Sequence, residues 1–284
     1  MRNCDLEETI MKPIFVLTAV AFAIGPALPA QDTGNQRVVV PSRNTGRPRK
    51  LTAHLMSGPI TVKAYTGRDV IIEATEGGKI KEKDKDKSSE PVPPGMHRID
   101  VPPRGLAVEE EDNQITVRAP MSHTGLVISV PPDTSLDLHT MSGAIDVEGV
   151  KGEIVVDTMN GKASLTNIGG NVLAHSMNGS LIVSMSSVDP AKPLSFTTMN
   201  GTIDVTLPAD YKCNLKLSTG HGAIYSDFDV KLGGGTITQS NPSGDGRFVV
   251  NIDRDRTLAG TINGGGPEAT FKTYNGAIYI RKKK

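Results

Sequence analysis

The chain of 284 residues carries 31 Lys and Arg against 31 Asp and Glu, a formal net charge of zero. That balance provides no basic field and excludes nucleic acid as the partner. There is no Trp, and aromatic residues make up only 4% of the chain, thin material for a sugar-stacking cleft.

Residues 1–10 hold Asp5, Glu7 and Glu8, unlike the basic front of an export signal. From Met11 the pattern fits: Lys12, an apolar run from Ile14 to Ile24, then small residues to Ala27 or Ala30. Residues 1–30 are therefore expected to be a secretory signal peptide whose true start is Met11. The apolar run is too short to span a bilayer, so no transmembrane span is expected in the mature chain, 31–284. Removing the signal removes Cys4 and leaves Cys213 without a disulfide partner. Cys213 has the alternation phase of a strand interior, which marks it as packed rather than reactive.

Residues 36–75 contain an outlying motif, Leu55-Met56-Ser57-Gly58-Pro59-Ile60-Thr61-Val62, followed by Val70-Ile71-Ile72. They are expected to form the first coil and to close one end of the structure. Residues 76–105 break the pattern with alternating charges from Lys79 to Lys87 and with five prolines. Such composition cannot bury enough apolar surface to offset its ordering entropy, so a mobile insertion is expected there. Strands resume at Ile115-Thr116-Val117 and Leu126–Val130, and Pro131-Pro132-Asp133 turns the chain into its most regular part.

From Leu136 to Val205 one motif is written four times: Thr140-Met141-Ser142-Gly143, Thr158-Met159-Asn160-Gly161, Ser176-Met177-Asn178-Gly179 and Thr198-Met199-Asn200-Gly201. A fixed period of this length marks a repeat architecture. Apolar residues alternate with polar ones on both sides of each glycine, the period-2 mark of half-buried strands. The phase slips by one at the corner, and glycine there can absorb the slip by adopting positive φ. Asn-Gly also suits hairpins, so an antiparallel meander is the competing arrangement. The columns of like residues favour the parallel one, since Thr, Met and Asn positions would then stack at about 4.8 Å. Corners are expected at Asn160-Gly161, Asn178-Gly179, Asn200-Gly201 and, later, Asn275-Gly276. The fold expected is all-β, a single-stranded parallel β-helix or β-solenoid with roughly 18-residue coils.

After Val205 the register loosens. Thr219-Gly220-His221-Gly222 is a degenerate copy, and residues 233–247 read as loop. The pattern returns in Thr261-Ile262-Asn263-Gly264-Gly265-Gly266 and in Thr273-Tyr274-Asn275-Gly276-Ala277-Ile278. The closing Arg281-Lys282-Lys283-Lys284 suits a last, exposed edge, where lysines discourage further pairing.

Four features recur together: the Thr/Ser-x-Ser/Asn-Gly-x-Ile-x-Val repeats, Ser129-Val130-Pro131-Pro132, Val205-Thr206-Leu207-Pro208, and the closing Ile-Asn-Gly-Gly-Gly and Thr-Tyr-Asn-Gly segments. In their order and spacing, over roughly residues 50–281, they resemble a bacterial family of exported β-strand-repeat proteins carrying an adhesin label. That family, of unknown function, is related to the head domain of an autotransporter adhesin. The resemblance implies a β-helix-like fold and an extracytoplasmic location, and it supplies no catalytic residues.

Four residues before each glycine, an outward column is expected to read His54, His139, Asp157, His175, Thr197. His139, Asp157 and His175 are the weak candidates for a shared zinc or copper ion, against the simpler reading of a solvated ladder. The adjacent methionines are read as corner packing. Tyr225, Tyr274 and Tyr279 are read as ordinary strand tyrosines rather than a contact patch. Asp146, Asp157 and Asp204 would be the carboxylates of a polysaccharide-cleaving β-helix, but no pair is singled out and no catalytic motif is present. The function expected is that of an exported, adhesin-like protein with a structural or binding role at the cell envelope, without cofactor. Its partner would be an envelope or extracellular protein or polysaccharide. The expected location is outside the cytoplasm: periplasmic, outer-membrane-associated or extracellular. The alternatives are a carbohydrate-active β-helix enzyme and a periplasmic metal-binding protein.

Overall fold

The computed structural model describes residues 36–42, 47–76, 106–119, 124–233, 248–250 and 257–284. The expected signal segment and all of the 76–105 insertion except Glu76 lie outside them. The described residues form strands joined by turns and irregular connections, with no helix among them. The first elements are β1 (Gln36–Val40), β2 (Lys50–Ser57), β3 (Ile60–Ala64), β4 (Val70–Glu76), β5 (Ala107–Glu111), β6 (Gln114–Arg118) and β7 (Thr124–Val130). The regular part supplies β8 (Ser135–Ser142), β9 (Ile145–Glu148), β10 (Ile154–Asn160), β11 (Ala163–Ile168), β12 (Val172–Asn178), β13 (Leu181–Met185), β14 (Leu194–Asn200) and β15 (Ile203–Leu207). The last are β16 (Cys213–His221), β17 (Ile224–Ser226), β18 (Val230–Leu232), β19 (Phe248–Val250), β20 (Leu258–Ile262), β21 (Glu268–Asn275) and β22 (Ile278–Lys282).

These strands form two 11-stranded sheets. Sheet I runs β1-β4-β7-β3-β9-β11-β13-β15-β22-β17-β19, and sheet II runs β18-β20-β16-β21-β14-β12-β10-β8-β2-β6-β5. From β8 to β15, successive strands of the chain enter the two sheets alternately. Each corner therefore carries the chain across the core instead of folding it back into a hairpin. Parallel pairing follows: Ile154 lies beside Leu136 on one side and Val172 on the other. Asn160, Asn178, Asn200 and Asn275 stand side by side in sheet II. Antiparallel pairs occur toward the ends, among them β1–β4, β5–β6, β16–β20 and β17–β19.

The core lies between the sheets and is built from the inward residues of each alternation. Phe196 and Phe271 are the largest of its fully buried side chains, with ring centroids 5.2 Å apart. Cys213 is fully buried in β16, and burial pushes its thiol up to about 12.

Two expectations about the ends are corrected. The β2–β3 unit does not close the structure; it is inserted between β6–β7 and β8–β9. Likewise β21–β22 is no terminal edge, because it sits between β14–β15 and β16–β17. The physical reason is that each motif copy offers the same backbone edge and nearly the same columns. Local pattern therefore fixes what a unit looks like but not which neighbours it takes. The β20 strand, expected as a further copy, instead pairs antiparallel with β16 and β18.

Candidate functional site

The repeated corner explains itself residue by residue. The Thr or Ser three places before each glycine points inward and is almost fully buried, so its hydroxyl needs a partner. It finds the glycine carbonyl of the neighbouring unit: Thr198 Oγ1 donates to Gly179 O at 3.0 Å, Thr273 to Gly201 O at 3.1 Å and Thr219 to Gly276 O at 3.1 Å. The glycines touch the same carbonyls. A Cβ on Gly161 would lie 1.9 Å from Gly143 O, and one on Gly179 would lie 1.9 Å from Gly161 O. Positive φ is found at Gly143 and Gly276 but not at Gly161, Gly179 or Gly201. At those three corners close backbone approach, rather than the expected left-handed conformation, is what requires glycine.

Outside this buried seam run two exposed columns. Asn178 Nδ2 donates to Asn160 Oδ1 at 2.9 Å, Asn200 Nδ2 to Asn178 Oδ1 at 2.8 Å and Asn275 Nδ2 to Asn200 Oδ1 at 2.7 Å. Each bond contributes on the order of 1 kcal/mol or less in so exposed a place. Beside it stand Met56, Met141, Met159, Met177, Met199 and Tyr274, each 40–51% exposed. The expectation that these methionines pack is thus corrected: alternation turns them to the solvent face, and the threonines take the inward position. At about 4.8 Å per strand, six members make an apolar stripe roughly 24 Å long.

The next outward column holds the histidines. His54 and His139 stack with centroids 4.8 Å apart. His139 Nε2 turns to Asp137 Oδ1 of its own strand at 2.7 Å, and Asp137 also pairs with Lys50 Nζ at 2.9 Å. His175 Nδ1 meets Asp157 Oδ1 at 3.0 Å, while His139 Nδ1 is 3.9 Å from Asp157 Oδ2. The three weak metal candidates are therefore neighbours, but each histidine already has its own carboxylate. Among the described residues, no group of three or more His, Cys, Asp or Glu side chains is arranged to hold a metal ion.

Burial, then the charge on His139, holds the His54 imidazole below its ordinary 6.5. The Asp137 carboxyl is pushed up by burial, but hydrogen bonds from Lys50 and His139 outweigh this and hold it below its usual value. For a histidine whose folded value is lowered, the unfolded chain takes up the proton first. Stability is thus full above 6.5 and declines as pH falls through it toward the lower folded value. Chemical denaturation of His54→Gln across that interval should show a shallower decline than the unaltered chain. An identical slope would mean that neither burial nor the charged neighbours of His54, His139, Asp137 and Arg118, disturb its proton affinity.

The carboxylates and tyrosines distribute differently. Asp146 and Asp204 lie in one outward column of sheet I, three strand spacings apart, and Asp157 lies on the other sheet. Asp204 accepts two hydrogen bonds from Arg281, at 2.7 and 2.9 Å. Tyr225 and Tyr279 stack on sheet I with centroids 4.9 Å apart, whereas Tyr274 extends the methionine stripe on sheet II.

Comparison with known proteins adds the following. A proposed cell-adhesion protein from Clostridium sporogenes ATCC 15579 aligns with 13% identity over 88% of this chain and 100% of its own, with a TM-score of 0.44. A proposed adhesin from Bacteroides fragilis NCTC 9343 aligns with 10% identity over 88% of this chain and 98% of its own, with a TM-score of 0.36. No curated protein matches the chain. The Toastrack DUF4097 family matches residues 28–255, which span the four regular repeats and both outward columns up to Met199 and Asn200. The chain belongs to the Toastrack DUF4097 family.

Proposed function

We propose that the protein is an exported, adhesin-like binding module of the cell envelope, a continuous β-solenoid whose contact surface is the outer face of sheet II. The observation that carries this reading is the exposed stripe from Met56 to Tyr274 beside the Asn160–Asn275 ladder. An apolar stripe of that length commonly marks a contact surface, and flexible thioethers adapt to irregular partners. The amide ladder gives polar contacts at the same regular spacing. Such a face fits an extended polymer, a polysaccharide or an extended polypeptide of the envelope, with no enclosed pocket required.

A binding role is favoured over glycoside cleavage by the placement of the carboxylates. Asp146 and Asp204 are separated by roughly 14 Å at the ordinary strand spacing, beyond the about 5–9.5 Å that a catalytic pair needs. A groove of about 270 Å³ on sheet I does contain Asp146 and Glu148. Both are exposed there, and Glu148 stands beside Lys63, so neither has the apolar enclosure of a general acid.

The test combines cell fractionation with a binding assay on purified envelope material. The protein should fractionate outside the cytoplasm and should bind, and the triple change Met141→Gln, Met159→Gln and Met177→Gln should abolish binding while leaving the melting curve intact. A cytoplasmic protein, or unchanged binding by the triple variant, would overturn the reading.

A further inference from the structure

Away from the repeated corners, Ser42 and residues 47–49, between β1 and β2, join residues of the β3–β4 and β7–β8 turns to line a cavity of about 320 Å³. Its lining includes Ser42, Arg47, Arg49, Arg68, Asp133 and Thr134, three guanidiniums against one carboxylate. Arg47 and Arg68 are exposed at its rim. Arg49 is only 7% exposed. Its Nη1 donates to Arg68 O at 3.0 Å and its Nη2 to Pro41 O at 3.1 Å. Those bonds use two of the five N–H donors of a guanidinium. Among the described residues no carboxylate pairs with Arg49. A buried charge is costly without a counter-charge, and two peptide carbonyls supply only partial ones.

A second observation points the same way. Thr134 is 1% exposed, and its hydroxyl has no hydrogen-bond partner among the described residues. Its backbone is fixed: Thr134 N donates to Pro131 O at 3.2 Å, and the next residue, Ser135, donates from N to Arg49 O at 2.8 Å. The unused hydroxyl and the buried guanidinium are therefore held to one wall by adjoining backbone. An acceptor with several oxygens would engage both.

We infer that this cavity binds a tetrahedral oxyanion, phosphate or sulfate, either free or as the terminal group of an ester. Arg49 supplies the fixed fork, Thr134 a neutral donor, and Arg47 and Arg68 the charge that draws the anion in, while Ser42 and Asp133 complete the lining. Guanidinium suits this chemistry because its planar donors match two oxygens at once. The site uses different turns from the proposed adhesive face and stands or falls independently of it.

The experiment is calorimetric titration of the purified full chain with inorganic phosphate, sulfate, glycerol 3-phosphate and acetate. Ionic strength is held constant with chloride, so that general screening cancels. Phosphate or sulfate should bind saturably with one site per chain, and acetate more weakly. Glycerol 3-phosphate binding as well as phosphate would assign an ester-linked ligand, and preference for the inorganic ion a free one. The double change Arg47→Ala with Arg68→Ala should weaken binding about tenfold or more, the scale of one charged hydrogen bond. Thr134→Val should weaken it roughly fivefold, the scale of a neutral one. Arg49→Lys keeps the charge but loses the fork, and should weaken it about tenfold. If Arg49→Lys disturbs folding, the rim pair and Thr134→Val still decide, since neither anchors the turns. Absence of saturable phosphate or sulfate binding, equal affinity for acetate, or affinity unchanged in the rim double variant would overturn the assignment.

Discussion

Replacing Gly179 with Ala should destabilise the protein by about 3 kcal/mol, the upper part of the range for overpacking. For a domain of this size that corresponds to a fall in melting temperature of roughly 6–12 °C. The cause is local and severe: the new methyl would lie 1.9 Å from Gly161 O, and backbone cannot swing aside as a side chain can. Gly161 O also accepts from the buried Ser176 hydroxyl at 3.4 Å, so its displacement would loosen the hydroxyl seam as well. Gly233→Ala is the matched control, because among the described residues its added methyl would find only Ala259 O, at 3.9 Å. That change should stay within about 0.5 kcal/mol. Equal thermal scans for the two variants would mean that the corners of neighbouring units do not approach at this distance.

Phe271→Ala should cost about 3–5 kcal/mol, as should Phe196→Ala, each leaving a cavity among rigid β-sheet neighbours. The more informative quantity is their interaction. The rings are 5.2 Å apart across the β14–β21 pair, and aromatic pairs in such contact couple by about 0.5–1.5 kcal/mol. A double-mutant cycle by urea denaturation should therefore deviate from additivity by that much. Strict additivity would separate the rings and return β21–β22 to the outer end that chain order suggests.

How far the sequence discloses this structure depends on which contact is asked about. Thr158, Asn160 and Gly161 recur at a spacing that puts like beside like, and the Asn160–Asn178 bond is readable from that repeat alone. Alternation also placed Cys213 and Phe196 in the core. The exposure of Met159 was legible in principle, since it shares its parity with Asp157, but a preference for buried methionine obscured it. The neighbours of Leu55 and Phe271 were not legible. Their units reach across 50 or more residues for partners, and nothing local distinguishes one motif copy from another as a docking edge. Nor does a periodic pattern reveal the Arg49–Thr134 cavity. It depends on three turns that do not repeat and that meet only because β2 was inserted beside β8.

The late insertion of β21–β22 between older neighbours has a kinetic side. The β14–β15 and β16–β17 units are adjacent in sequence, yet what separates them in space is made of residues 268–282, the last strands described. Until those residues are in place, β15 and β17 each present a bare edge that could pair with the other directly, closing a gap that must later be reopened. Assembly is thereby made to wait for residues 268–282, and anything that shields the two edges in the interval decides how much product reaches the correct order.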